Sequence, residues 1–254
     1  PRAKAGVIDL RSWDFASQGP VDLRGEWDFH WQQLLGPEDN GSAPLPVGGI
    51  WDEHAGPDGR RLDKHGYGSY RLRVLLPPAI DRPDLALRLR AVMTAHRIWV
   101  DGTELTGAGV VSSELARVRP ATPNRLHVVH SDDDSLQITL QVANAQFRMG
   151  GVRKPLQLGS VQDTVERHTH QIIYDAVIFT LLLAAGSYFL LVFAARSQEI
   201  YRLWFGLLCL TTAVRATVAV EALLIDILVP GLAWSSQINL EYAANFFGCA
   251  LVPM

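Results

Sequence analysis

The sequence predicts an all-β domain followed by α-helices that enter a membrane. Residues 1–165 alternate short apolar runs with Gly, Pro and Asp, a pattern typical of a β-sandwich. Residues 172–195 are then almost uninterrupted apolar sequence, with Asp175 as the one ionisable residue. About 24 residues at about 1.5 Å each give a helix of about 36 Å, enough to cross a hydrocarbon core of about 30 Å. All 8 histidines and nearly all of the charge precede this segment.

Strand-like alternation of side chains recurs through the first part. Residues 21–31 place their aromatic side chains mostly at period two, with Gly25 interrupting. Residues 84–92 alternate leucines with Arg88 and Arg90, which predicts that both arginines point outward. Further strands are predicted at 67–77, 135–144 and 155–160, and residues 34–49 are predicted to form a loop.

One turn has a strong local signal. Asp101-Gly102 stands between two apolar runs within residues 96–109. Gly in the second position supplies the positive φ that a two-residue type I′ turn requires. The sequence therefore predicts a β-hairpin at this point.

Composition and missing motifs restrict the function. A net charge of −3 does not provide the basic surface of a nucleic-acid-binding protein. Cys209 and Cys249 lie in the apolar part, so we expect no disulfide in the β domain. The sequence has no catalytic nucleophile or zinc-protease motif and no phosphate-binding glycine loop, and Asp52 and Glu53 would point apart on a strand. We expect no nucleic-acid partner, no cofactor and no catalysis within this chain.

Histidine pairs raise the question of a metal site. His127 and His130 precede the acidic run 132–134, and His168 and His170 precede the apolar segment. Two histidines without a firm third ligand make a weak set, so we expect no metal ion. Solvated side chains, or acid sensing by His168 and His170, are the other interpretations.

Two further apolar segments predict more helices, placing the first three at about 172–195, 201–222 and 237–254. The connection between the first two is too short for a domain and carries Arg196 and Arg202, which the positive-inside rule places in the cytoplasm. The β domain, residues 1–165, would then lie outside, as would the loop 229–237 with an interfacial Trp234. The chain starts without Met and ends inside an apolar run, so we expect a removed leader and further protein after it.

Arg215 falls in the outer half of the second predicted helix, where a charge is costly unless it reaches the headgroups or finds a partner. Asp175 lies at a comparable depth in the antiparallel first helix, and Glu221 is another candidate. We predict an Asp175–Arg215 pair that holds the two helices together. The alternative is that Arg215 extends to the lipid headgroups.

Several short motifs occur in the order seen in one protein family. They are DLRSWDF, VDLRGEWDFHW, GGIW, GYGSYRLRV, RIWVDGTELTGAG, VANAQFRMGGV and LGS. This set resembles the first-type extracellular domain of bacterial seven-transmembrane receptors with diverse intracellular signalling modules. Residues 190–216 resemble the start of that family's seven-helix region.

The resemblance implies a galactose-binding-like jelly roll, related to the sugar-binding domain of some glycoside hydrolases. It also implies seven helices in the bacterial cytoplasmic membrane, of which residues 166–254 would hold two and part of a third. A variable cytoplasmic output would follow, such as a diguanylate cyclase, histidine kinase or phosphatase. The family pattern has Asn before Gly in the hairpin turn where this chain has Asp101.

A sugar site needs an aromatic face for the ring and polar groups for its hydroxyls. The candidates are Trp51, His54, Tyr67, Asn144 and Arg148. Trp51 follows two glycines in a predicted loop, so we expect its ring to be exposed. The alternatives are that both aromatic residues are packing residues and that Asn144 forms a turn.

These observations predict the sensory part of a transmembrane receptor, with a small ligand, most simply a carbohydrate, and the lipid bilayer as partners. A homodimer is left open. One alternative is a protein-interaction module without a small ligand, which a large flat apolar patch would favour. Another is the accessory carbohydrate-binding domain of a membrane-tethered enzyme. A pocket lined by exposed Trp51 and Tyr67 would favour the receptor.

Overall fold

The computed structural model describes residues 1–39, 41, 44–56, 58–90, 92, 94–121, 126–131, 133–196, 199–218 and 223–251. The chain divides into two compact units, Pro1–Val165 and Glu166–Met254. The strands belong to the first unit. They are β1 Val7–Asp9, β2 Val21–Asp22, β3 Trp27–Trp31, β4 Leu45–Val47, β5 Gly66–Leu75, β6 Leu85–Arg88, β7 Ala95–Val100, β8 Thr103–Ala108, β9 Leu126–Val129, β10 Ser135–Asn144 and β11 Gln157–Ser160.

These strands form two sheets that enclose one hydrophobic core. The larger sheet has the order β4-β3-β5-β10-β7-β8, with β1 added in parallel to β5, and the smaller sheet has the order β2-β11-β6-β9. The central strand β10 matches its predicted bounds, and its alternate residues Leu136, Ile138, Leu140 and Val142 are fully buried. The predicted β-sandwich is therefore confirmed, because period-two alternation places these side chains on one inner face.

The predicted type I′ hairpin is also confirmed. Asp101 and Gly102 connect β7 and β8 with φ angles of 47° and 81°. The Asp101 carboxylate accepts a hydrogen bond from the backbone N–H of Gln137 at 2.7 Å. The turn residue therefore also attaches the hairpin to β10.

Residues 21–31 form two strands in different sheets, and Gly25, which interrupts the predicted alternation, lies between them with a φ of 119°. Two predictions in the β unit are wrong. The predicted loop 34–49 contains the edge strand β4. Arg88 was predicted to point outward, but it is only 6% exposed. Ala86 on the same face of β6 is also buried, so both faces of this interior strand are covered.

The helices outside the sheets are α1 Phe15–Gln18, α2 Val161–Ala195, α3 Ile200–Val218, α4 Leu223–Leu228 and α5 Trp234–Leu251. Helix α2 starts well before residue 172, because Ser160 caps it: the Ser160 hydroxyl accepts from the Asp163 N–H at 3.0 Å and donates to the Asp163 carboxylate at 2.8 Å. The polar stretch before the apolar segment is therefore helical.

In the described part of the chain, α2 is the one helix long and apolar enough to cross a membrane. Helices α3 and α5 form near their predicted places, but the three membrane spans stay a prediction. Trp234 is the first residue of α5 rather than a loop residue, and α4 was not predicted.

Candidate ligand-binding cleft

The expectation that Trp51 is exposed is wrong. Its side chain is 0% exposed, in contact with Trp31 at a ring-centroid distance of 5.1 Å and with Phe29 at 6.0 Å. The neighbouring Gly150 leaves room for the ring, since a Cβ there would lie 2.2 Å from an indole carbon. A ring enclosed in this way offers no face to a sugar, so Trp51 is a core residue.

Tyr67 lies on the other face of the large sheet from Trp51. It is three residues from Tyr70 on β5, so the two tyrosines point to opposite faces. Tyr70 belongs to the main core with Trp51, whereas Tyr67 packs against a small separate cluster that includes Ala95 and Val118. Trp51 and Tyr67 therefore do not line one pocket.

Asn144 forms a turn, as the alternative interpretation held. Its side-chain amide donates to the carbonyls of Lys64 at 2.7 Å and Phe147 at 2.8 Å, and its side-chain oxygen accepts from the Phe147 N–H at 2.9 Å. The side chain is 1% exposed, so it is not presented to a ligand. Arg148 follows as an exposed side chain.

A cleft of about 340 Å³ opens at one side of the sandwich. The cleft lies at the side of the sandwich where β4 is the edge strand of the large sheet and β2 is the edge strand of the small sheet. Of the five predicted site residues, His54 lines this cleft. The lining residues are Arg2, Leu23, Arg24, Gly25, Glu26, Trp27, Val47, Gly48, Gly49, His54, Tyr70, Val152, Arg153, Pro155 and Leu156.

Backbone hydrogen bonds hold the walls of the cleft. The Leu23 N–H donates to the Leu156 carbonyl at 2.8 Å, which joins the chain after β2 to the segment before β11. The Val152 N–H donates to the Gly49 carbonyl at 3.0 Å, which joins that segment to the loop after β4. Gly25 lets the N-terminal segment pack against this wall of the cleft, since a Cβ at Gly25 would lie 2.3 Å from the Ala3 carbonyl oxygen. The cleft is therefore formed by fixed backbone rather than by a single loop.

The His54 ring is oriented by the cleft wall. Its Nε2 lies 2.9 Å from the Gly48 carbonyl oxygen, and a carbonyl can only accept, so Nε2 carries the hydrogen. In the neutral ring, Nδ1 is then an acceptor. At the floor, the buried Tyr70 hydroxyl accepts from the Trp51 indole at 2.6 Å, and burial raises the pKa of Tyr70 so that it stays neutral.

The rim is charged and mostly cationic. The described lining residues include three arginines, Arg2, Arg24 and Arg153, and one acidic residue, Glu26. Arg24 is already paired with Asp22 at 2.6 Å. An apolar interior with a few convergent polar groups is the usual composition of a small-molecule site.

Sequence reasoning found one residue of this cleft and missed the arginines. Arg2 and Arg153 are far apart in the chain, and only the closure of the sandwich brings them to one opening. The glycines at positions 25 and 48 were the available signal, since a Cβ at either would lie within 2.3 Å of a backbone oxygen and glycines mark such close approach of backbone segments.

The remaining predicted sites lie elsewhere. The Asp175 carboxylate accepts a hydrogen bond from the Gln171 amide at 2.9 Å, and Arg215 is exposed. The pairing of Asp175 with Arg215 stays a prediction, and Glu221 lies outside the described residues. Within the described ranges, no three His, Cys, Asp or Glu side chains are grouped so as to hold a metal ion, and Asp132 lies outside those ranges.

No known family model matches the sequence, and no curated protein matches it. Solved structures similar to part of the chain include a β-glucuronidase of Faecalibacterium prausnitzii, 14% identical with a TM-score of 0.42, over 55% of this chain and 31% of that one. A β-glucuronidase of Ruminococcus gnavus is 16% identical with a TM-score of 0.41, over 55% and 28% of the two chains. A GH2 β-galacturonidase of Eisenbergiella tayi is 17% identical with a TM-score of 0.37, over 56% and 24%. The chain thus spans less than a third of each of these proteins.

Proposed function

We propose that this chain is the sensory part of a bacterial transmembrane signalling receptor. The β unit lies outside the cytoplasm and binds a small ligand, a carbohydrate, in the cleft at the side of the sandwich. The helices that follow pass the signal through the cytoplasmic membrane to an output domain such as a cyclase, kinase or phosphatase. The ordered motifs that resemble the seven-transmembrane receptor family support this assignment.

The observation that carries the proposal is the cleft itself. Its volume of about 340 Å³ falls in the range of about 300–1,000 Å³ that small-molecule sites occupy. His54 and the charged residues of the rim supply hydrogen-bonding groups for hydroxyls around an apolar interior. Such a site suits a compact polar ligand better than a long polymer.

Helix α2 gives the second support, because it follows the last strand of the β unit without a linker. It is long and apolar enough to span a bilayer. Signalling would require the ligand to bind one receptor state more tightly than the other, since equal binding shifts no equilibrium.

The interaction-module alternative has less support. The exposed large apolar residues of the described β unit are spread over several elements rather than gathered on one strand pair. They are Val7, Ile80, Val110, Leu115, Val128 and Val165. An accessory domain of a membrane-tethered enzyme would be distinguished by a hydrolase sequence following the helices.

The test uses the whole chain in lipid nanodiscs, heated in the presence of a panel of neutral and acidic monosaccharides. A ligand at about 100 times its Kd should stabilise the folded state by about 2.7 kcal/mol. His54→Ala should abolish the shift, and His65→Ala, a surface histidine beside Asp63, should keep it. A well-folded chain that responds to no sugar would favour the interaction module.

A further inference from the structure

We infer that the ligand of the cleft carries an anionic group, a carboxylate or a phosphate on a sugar. The inference rests on the proposed function of the cleft as a sugar site and specifies its ligand. It comes from the charges of the lining residues, which include three arginines, Arg2, Arg24 and Arg153, and one acidic residue, Glu26.

The charge of Arg24 is already compensated within the protein. Its guanidinium donates to the Asp22 carboxylate at 2.6 Å, and the same carboxylate is approached by Arg90 at 3.4 Å and Gln157 at 3.2 Å. Asp22 is therefore committed to structural contacts and does not balance a second rim arginine. Arg24 contributes to the wall of the cleft more than to its net charge.

Arg2 and Arg153 line the cleft together with Glu26. Among the described residues, no hydrogen bond or ion pair engages the guanidinium of Arg2 or Arg153. Arg153 is a half-buried residue of the cleft wall, beside the apolar residues Val152 and Pro155. A guanidinium at such a wall can bind a carboxylate or a phosphate through two parallel hydrogen bonds.

The other lining groups suit the uncharged part of a sugar. Hydroxyl hydrogens can be accepted by Glu26 and by Nδ1 of His54, whose Nε2–H is occupied by the Gly48 carbonyl. The interior surface from Leu23 and Val152 is apolar, and it strengthens nearby charge interactions by excluding water. An acidic sugar would thus satisfy the arginines, the acceptors and the apolar wall together.

The test is calorimetric titration of the full chain in phosphatidylcholine nanodiscs at low and high salt. The probes are glucuronate, galacturonate, glucose 6-phosphate, glucose and galactose. At least one acidic sugar should bind 10-fold or more tightly than its neutral counterpart, with the difference shrinking as salt rises. Binding of the phosphate and carboxylate probes separately shows which anion is preferred.

Matched variants locate the effect. Arg153→Gln and Arg2→Gln should each lower affinity for the acidic sugar about 10-fold and leave neutral-sugar binding unchanged. Arg117→Gln is the control, because Arg117 is exposed and paired with Glu114. If neutral sugars bind as tightly as acidic ones and the variants change nothing, the anion inference is wrong while the sugar site stands. If no sugar of either class binds, both proposals are wrong.

Discussion

The indole nitrogen of Trp51 donates a hydrogen bond to the hydroxyl of Tyr70 at 2.6 Å, inside the sandwich core. Trp51 belongs to the turn that follows Gly48 and Gly49, whereas Tyr70 lies on β5 and lines the cleft. The bond therefore joins one wall of the cleft to the sheet behind it. Trp51 supports the cleft from the core and is not one of its lining residues.

This relationship predicts that Trp51→Ala acts on folding. Loss of a buried Trp side chain typically costs about 3–5 kcal/mol, a large part of the stability of one domain. Trp51→Phe keeps most of the packing but leaves the buried Tyr70 hydroxyl without its donor, at about 1–3 kcal/mol. Urea denaturation followed by fluorescence would measure both. A fully stable Trp51→Ala protein that has lost only ligand binding would contradict this account.

A second prediction concerns acid stability. His96 is 0% exposed, its Nδ1 lies 3.1 Å from the Thr94 carbonyl, and burial, with a smaller contribution from His127, lowers its pKa to about 4. Between pH 6.5 and about 4, the unfolded chain binds a proton here that the folded chain does not, so the stability falls as pH falls through this window. At about 1.4 kcal/mol per pKa unit, the loss reaches about 3 kcal/mol.

The measurement is the free energy of unfolding at several pH values for the wild type and for His96→Leu. The variant should show a flatter slope between pH 6.5 and 4. An equal slope in both proteins would assign the acid sensitivity to other groups.

Local patterns were predictable where one face of a strand is buried. The Asp101-Gly102 hairpin and the inward residues of β10 followed from turn chemistry and period-two alternation. The same rule gave the wrong orientation for Arg88, because both faces of β6 are buried. The segments that bury them are distant in the chain. Alternation of apolar and polar residues shows which side chains share one face of a strand. It does not show which other segments pack against that face.

The candidate site was less predictable for the same reason. Trp51 has the loop position of a ligand-binding aromatic residue, but the Gly150 backbone packs directly on its ring. Arg2 and Arg153 carry no local signal in the sequence. They line one cleft because Ala3 pairs with Gly25 and because residues 152–156 lead into β11. Sites built from such contacts require the tertiary structure.

A third prediction concerns the crossing of α2 and α3 at two glycines. A Cβ on Gly186 would lie 3.0 Å from the Gly206 carbonyl oxygen, and a Cβ on Gly206 would lie 3.1 Å from the Gly186 carbonyl oxygen. Gly186→Leu should therefore force the helices apart and lower the melting temperature in detergent. Gly248→Leu is the control, since nothing lies within 4 Å of a Cβ at that position. Equal melting temperatures for the two variants would contradict a tight crossing.

The last prediction tests whether α2 enters a membrane. Leu181 lies in the apolar part of α2 and is 64% exposed, which is costly in water and favourable in lipid. Leu181→Arg should weaken insertion, because an Arg at the centre of a membrane helix costs about 2.5–3.5 kcal/mol on insertion scales. Alkaline extraction of bacterial membranes should then release more of the variant than of the wild type. Glu104→Arg is the control, because it introduces an Arg at an exposed position on β8 in the β unit. This variant should stay in the membrane pellet. Equal retention of Leu181→Arg and wild type would indicate that α2 does not itself anchor the chain.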